Sequence, residues 1–468
     1  MNSTSGETTC CHIIALPFPG RGHINPMMNL CKLLVSKCSN LINITFIVTE
    51  EWFGFIKSTP KPSEITFQTI PNVIPSELIR ASIFPEFVKA VYTKMEAPVE
   101  QLLDRLQLPK VSAIIADTYL TWSVAVGNRR NIPVVSLWTM SPSVCSLFYH
   151  FDLLIQNRHF PVDNLSDRSS VHLNLLFAVE RGDEVVDYIP GISPTRLADL
   201  PTFFSGVGKQ TLGEVLEAFA CIRKAQCVMF TSFYELERQV IDSLNTRFAF
   251  PVYSVGPLIP HNTLDSTPDA NLDYFKWLNS QPAKSVLYIS LGSFLSVSRE
   301  QMDEIVEGIR ESGVRYLWVA RGETARIQEA CGEMGLVVPW CDQLKVLCHS
   351  SVGGFWTHCG WNSTLEGVYA GVPMLTFPIF WDQIPDSKLI VDDWKVGMKV
   401  RDVAKEKLVG RKEISAIIQR FMSLDGYESK QMRRNASELQ ETCAQALSEG
   451  GSSEANLDAF ISKFLKCL

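Results

Sequence analysis

Ten consecutive residues, His358 to Gly367, read HCGWNSTLEG and combine a titratable ring, a thiol, glycine-freed backbone and the polar side chains of Asn362, Ser363 and Glu366. Three chemistries could use them. A metal site needs converging ligands, yet Cys341, Cys348, His349, His358 and Cys359 form neither a C-x2-C nor an H-x3–5-H pair. A capped helix is the second: Ser363 and Glu366 fit a capping box, and Gly371 then Pro373 would end the helix. That leaves His358, Gly360 and Trp361 unexplained. The third is an anion cradle, in which an apolar strand (SVGGFWTH), a glycine-opened turn and a helix start aim His358 and the backbone N–H groups of Asn362 and Ser363 at one negative group. Glu366, one turn further, would then accept from sugar hydroxyls.

A second constellation lies near the start. The stretch PFPGRGHINPMMNLCKLL follows an apolar run, and Asn25 with Pro26 reads as a helix start whose buried face is Met27, Leu30, Leu33 and Leu34. His23 would sit on the glycine-rich turn before it, where the positive helix end favours a neutral, proton-accepting ring; the bland reading is a surface turn residue. The run SAIIAD ends in Asp117, which could hold one nitrogen of His23 and stabilise the imidazolium, or could simply be a turn aspartate. A nicotinamide-dependent oxidoreductase is disfavoured, because GRGHIN lacks the third glycine of G-x-G-x-x-G, although Glu50 and Glu51 end the second run as a ribose-binding acid would.

These residues need elements to hold them. Short, continuous apolar runs alternate with helix-like segments along the whole chain: HIIALP, ITFIVT, ITFQTI, SAIIAD, PVVSLW and CVMFTS, then SVLYISLG, VRYLWVA, SVGGFWTH and PMLTFP. Continuous rather than alternating apolarity predicts parallel strands covered on both faces. The expected architecture is α/β, with two doubly wound Rossmann-like domains facing across a cleft and ligands at the carboxyl ends of the strands. The division falls at 1–252 and 253–468, with a linker near 256–273 that is rich in Pro, Asp, Asn and Thr, and the last helix packs back on the first domain.

A chain of 468 residues is too long for one core and suits two domains of roughly 200–250 residues. A net charge of −7 and no long basic run argue against a nucleic-acid surface. No apolar stretch approaches the roughly 18–20 residues that span a bilayer, and MNSTSGETTCC has neither the basic nor the apolar part of a secretory signal. Thirteen cysteines scattered through apparent strands and helices read as small core residues in a reducing compartment, so a cytoplasmic location is expected.

Residues 340–383, WCDQLKVLCHSSVGGFWTHCGWNSTLEGVYAGVPMLTFPIFWDQ, resemble the donor-binding signature of plant family 1 UDP-dependent glycosyltransferases, and PGRGHINPMMNL, Asp117 and ISLGSF fall where that family has them. The resemblance implies the two-domain GT-B fold and an inverting transfer from a UDP-sugar. It implies that His358, Asn362 and Ser363 hold the pyrophosphate, with Ser293 as a further phosphate contact. Trp340 would stack on uracil, Cys341 meet its edge through the backbone, and Glu366 bind ribose. Trp361, Asp382 and Gln383 would face the sugar, and Thr139 touch it from the N-terminal domain. Gln343 and Gly360, at matching signature positions, join the same site. His23 matches the family's base and Asp117 its orienting partner.

Gln383 at the end of the signature points to glucose. No acidic pair of D-x-D type stands at a strand end, so no metal and no cofactor beyond the UDP-sugar co-substrate is expected. The acceptor is expected to be a small lipophilic molecule of plant specialised metabolism, taken through a hydroxyl or carboxyl group near Phe18, Tyr119 and Phe148. A monomer is the default, and a non-catalytic UDP-sugar-binding protein is the alternative.

Overall fold

The computed structural model describes residues 11–38, 41–106, 111–160, 181–202, 211–261, 264, 272–292, 297–320, 324–332, 334–403 and 408–465. Ser293 and half of the linker segment 256–273 lie outside the described residues. The chain divides into two compact units, Met1–Phe148 with Gln210–Leu258 and Ala446–Leu468, and Tyr149–Lys209 with Ile259–Gln445. The chain thus passes from the first unit to the second after Leu258, inside the segment read as a linker, and residues 149–209 group with the second unit.

The first unit is built on a seven-stranded sheet. Its strands are β1 (Cys11–Leu16), β2 (Ile42–Thr49), β3 (Ile65–Ile70), β4 (Val111–Asp117) and β5 (Val134–Trp138); after the short antiparallel pair β6 (Val185–Val186) and β7 (Thr195–Arg196) of the second unit come β8 (Cys227–Phe230) and β9 (Val252–Ser254). The sheet order is β3-β2-β1-β4-β5-β8-β9, and every pairing is parallel. Both faces are covered, which is why the strands read as unbroken apolar runs. Ile13, Ala15 and Ile44 pack with Met27, Leu30 and Leu34 of the helix Arg21–Cys38 and with Leu457, Phe460 and Ile461 near the chain end. Ile14, Leu16 and Ile114 face the other way, onto Phe87, Val91 and Val99.

The second unit carries a six-stranded sheet of β10 (Val286–Ser290), β11 (Arg315–Val319), β12 (Gly335–Val338), β13 (Val352–Thr357), β14 (Met374–Thr376) and β15 (Gly397–Lys399). Its order, β12-β11-β10-β13-β14-β15, is again all parallel. Leu287 and Ile289 pack on Ile305 and Ile309 of the helix Arg299–Ser312 and on Ile414 and Ile418 of the helix Arg411–Met422. Both sheets are therefore of the doubly wound Rossmann type. In each the winding reverses at one place, between β1 and β4 in the first sheet and between β10 and β13 in the second. No helix among the described residues is long and apolar enough to cross a membrane.

Two local expectations are corrected. The first helix starts at Arg21, not after Asn25, because the Gly20 carbonyl already accepts from the backbone of His23 (3.0 Å) and Ile24 (2.9 Å); Pro26 then lies inside the helix. The helix Trp361–Ala370 has Gly360 at its N-cap with no side-chain cap, so Ser363 sits within the first turn and forms no capping box with Glu366. Its other end is as expected, with Gly371 in the left-handed conformation at φ 65°.

Candidate active site

Each unit presents a cluster where its own sheet reverses. In the first, β1 leads through Pro17–Gly20 into the helix that carries His23, and β4 ends in Asp117. Because Leu16 pairs with Ala116, neighbouring parallel strands deliver the histidine helix and the aspartate to the same sheet edge. His23 Nδ1 lies 2.7 Å from Oδ2 of Asp117, whose side chain is only 1% exposed, and 2.9 Å from Oγ1 of Thr139. A carboxylate only accepts, so Nδ1 carries the proton of the neutral ring and Nε2 is left as the acceptor. The other oxygen of Asp117 accepts from the backbone of Tyr119 at 3.0 Å, which fixes the carboxylate plane. Phe18 and Tyr119 flank the ring at centroid distances of 5.0 and 6.1 Å. Phe18 and Phe148 are themselves buried and line no open space, Phe148 packing on Phe219; Tyr119 is partly exposed.

In the second unit the cluster sits at the carboxyl ends of β10, β12, β13 and β14. The turn after β13 is tight: Cys359 adopts φ 68°, a conformation that costs a non-glycine residue of order 1–3 kcal/mol. Glycines flank the His358 ring on two sides. A Cβ on Gly360 would lie 2.5 Å from Nε2, and one on Gly292, at φ 87°, would lie 2.9 Å from the same atom. His358 Nδ1 is buried without a hydrogen-bond partner among the described residues, and burial pulls the imidazole down to about 4, against a small upward pull from the Ser290 backbone.

Beside it, Gln343 ties the helix start together. Its Nε2 donates to Glu366 Oε2 (2.6 Å) and Ser363 Oγ (3.0 Å), and its oxygen accepts from the hydroxyl of Tyr288 (3.1 Å). Burial pushes the Glu366 carboxyl up to about 7; the Gln343 hydrogen bond opposes this and the charge of Asp342 adds to it. Tyr288 also meets Cys341 Sγ at 3.4 Å, and burial drives that thiol up to about 12. Trp340, just beyond β12, is 60% exposed, an apolar ring presented to solvent. Trp361 is buried, and its Nε1 has no partner among the described residues. Gln383 Oε1 accepts from the backbone of Ile379 (2.9 Å) and Phe380 (3.1 Å), leaving its amide N–H groups to donate outward. Asp382 is the N-cap residue of the same short helix.

Thus His23, Asp117 and Thr139 come together in the first unit, and Gln343, Ser363 and Glu366 in the second. Tyr288 was not singled out from sequence; a hydroxyl inside the apolar run SVLYISLG was the available signal. Among the described residues no group of three or more His, Cys, Asp or Glu side chains converges as metal ligands.

With this geometry in view, comparison with known proteins identifies the family. The UDP-glucoronosyl and UDP-glucosyl transferase family profile matches residues 247–419. UDP-glycosyltransferase 87A2 of Arabidopsis thaliana is 53% identical over 453 residues, covering 96% of this chain and 96% of the relative. The chain belongs to the plant family 1 UDP-glycosyltransferases. Like its family, it transfers a sugar from a UDP-sugar. Medicago truncatula UGT71G1 complexed with UDP-glucose is similar in structure at TM-score 0.79 and 26% identity, over 98% of this chain and 99% of that one. Phytolacca americana UGT2 complexed with UDP-2-fluoro-glucose and pterostilbene gives 0.78 and 27%, over 97% and 99%. The fold of this glycosyltransferase is accordingly GT-B.

Proposed function

We propose that this glycosyltransferase transfers glucose from UDP-glucose, with inversion, to a hydroxyl or carboxyl group of a small lipophilic acceptor, with His23 as general base. The observation that carries the reading is the 2.7 Å contact between His23 Nδ1 and Asp117 Oδ2, which leaves Nε2 to take the acceptor proton. As the proton moves to Nε2, the acceptor oxygen attacks the anomeric carbon opposite UDP, and Asp117 stabilises the imidazolium; base catalysis of this kind is worth roughly 10²–10⁴-fold. Thr139, whose hydroxyl also reaches Nδ1, is proposed as a sugar contact.

Charge grows on the departing UDP. It is met by His358 and by the uncapped start of the helix Trp361–Ala370, where Gly360, Asn362 and Ser363 stand, with Ser293 as a further phosphate contact. Fixed donors of this kind replace a divalent ion, so the reaction is proposed to need no metal. Trp340 offers its exposed ring to uracil, Cys341 its backbone to the base edge, and Glu366, oriented by Gln343, its carboxylate to ribose. Trp361, Asp382 and the outward amide of Gln383 address the sugar. The solved relatives with UDP-glucose and UDP-2-fluoro-glucose support glucose as the donor sugar. A cytoplasmic monomer is part of the same proposal.

The test is UDP release from UDP-glucose against a panel of small hydroxylated and carboxylated lipophiles, with and without EDTA, for the native protein and His23→Ala. Acceptor-dependent release that is indifferent to EDTA and, for the hydroxyl acceptors, lost in the variant is expected. Tight donor binding without turnover, or turnover of hydroxyl acceptors that survives the substitution, would overturn the catalytic assignment.

A further inference from the structure

The turn that launches the His23 helix is braced by a side chain from elsewhere in the first unit. Arg80, in the 3-10 segment Glu77–Ile83, is buried and donates through Nη1 to the carbonyl of Pro19 at 3.0 Å. The same nitrogen lies 3.0 Å from Glu77 Oε2, and the guanidinium sits over the Phe87 ring, 5.6 Å from its centroid. Phe87 in turn meets Phe18 edge-on at 6.1 Å, and Phe18 flanks His23 at 5.0 Å. Arg80 therefore reaches the histidine by two routes, through the Pro19–Gly20 backbone and through the Phe87–Phe18 pair. Gly20 permits the first route: a Cβ there would lie 2.5 Å from Nη1, and its carbonyl is the acceptor on which the helix begins, taking the N–H groups of His23 and Ile24.

A buried guanidinium needs a reason, since desolvation opposes it and pulls its pKa down. The Glu77 carboxyl lies against it, although burial pushes that carboxyl up to about 7, and Glu77 is itself anchored, its backbone N–H bonding to Glu51 Oε2 at 3.0 Å. The ensemble fixes one turn, and that turn carries one ring.

We propose that Arg80 is a positioning residue that sets where His23 Nε2 stands relative to the acceptor oxygen, resting on the reading of His23 as base. A planar, five-donor guanidinium is suited to bonding a carbonyl edge-on while stacking on a ring, which a lysine ammonium does not reproduce. Displacing a catalytic group by about 1 Å costs on the order of 10²-fold. The loss falls on acceptors that need the base and spares those acidic enough to ionise without it.

The experiment compares 4-nitrobenzyl alcohol with 4-nitrophenol, similar in shape and different in acidity, as acceptors for the native protein, Arg80→Met, Arg80→Lys and Gly20→Ala. It also follows the downfield Nδ1–H proton resonance of His23, assigned by its loss in His23→Ala. Expected for Arg80→Met is a fall of about 10²-fold on the alcohol, a much smaller one on the phenol, and a displaced or exchange-broadened His23 resonance. Gly20→Ala reproduces this, adding little in the double variant because both act on one contact. Arg80→Lys falls between. Equal losses on both acceptors, native rates on both, or an unmoved resonance in Arg80→Met would overturn the proposal. A His23→Ala variant that does not discriminate the two acceptors would instead unseat His23 as base, leaving the Arg80 geometry to be judged by the resonance alone.

Discussion

Gln343 holds Glu366: its amide nitrogen lies 2.6 Å from the carboxylate, in a setting whose burial raises that carboxyl to about 7. The proposed ribose contact uses the ionised form, and the group passes from mostly protonated to mostly ionised as pH rises through its pKa. UDP-glucose affinity is therefore expected to rise about tenfold between roughly pH 6 and pH 8, and Glu366→Gln to flatten that rise. Donor titrations followed by tryptophan fluorescence read this directly. A native profile as flat as the variant's would remove Glu366 from the donor site.

His358 predicts the opposite proton balance at lower pH. Its folded pKa of about 4 keeps the ring neutral in the free protein. A diphosphate against it favours the charged form and raises that pKa, so binding between roughly pH 4.5 and 6 takes up protons. UDP-glucose suits the measurement because its diphosphate diester has no ionisation near neutrality. Calorimetry in buffers of different ionisation enthalpy should show uptake in the native protein and little in His358→Asn.

Gly360→Ala isolates the shape of the anion cradle. The new Cβ would lie 2.5 Å from His358 Nε2, and the ring would have to turn away. The expected outcome is donor binding weaker by about tenfold, or ~1.4 kcal/mol, with an unfolding midpoint close to native. Unchanged donor affinity would mean that His358 does not contact the diphosphate.

Asp117→Asn tests the other cluster. An asparagine amide can donate to Nδ1 and stabilise the tautomer with its proton on Nε2, which cannot accept from a hydroxyl. Turnover should fall by roughly 10²–10⁴-fold, as for His23→Ala, while donor affinity stays native. A fall in donor affinity of the same size would point to a structural role for Asp117.

The sequence reading located ten strands from their apolar runs, and all ten lie in the two sheets. It passed over β9, β12 and β15 (Val252–Ser254, Gly335–Val338 and Gly397–Lys399) in the two large sheets, and the two-residue pair β6 and β7. The sequence puts the start of the helix that carries His23 too late, because Asn25-Pro26 is a strong local start signal; the Gly20 carbonyl overrides it and brings His23 into the first turn.

What the sequence determined alone is local and repetitive: parallel α/β architecture from continuous apolar runs, and a donor-site signature spelled within 44 residues. Such features survive in one dimension because each depends on neighbours in the chain. Tertiary structure decided the rest. His23 and Asp117 are 94 positions apart and meet because β1 and β4 are adjacent where the sheet reverses; Tyr288 finds Gln343 across 55 positions, and Arg80 finds Pro19 across 61. No local propensity encodes those distances. They follow from strand order, and strand order is fixed only when both faces of the sheet are buried at once.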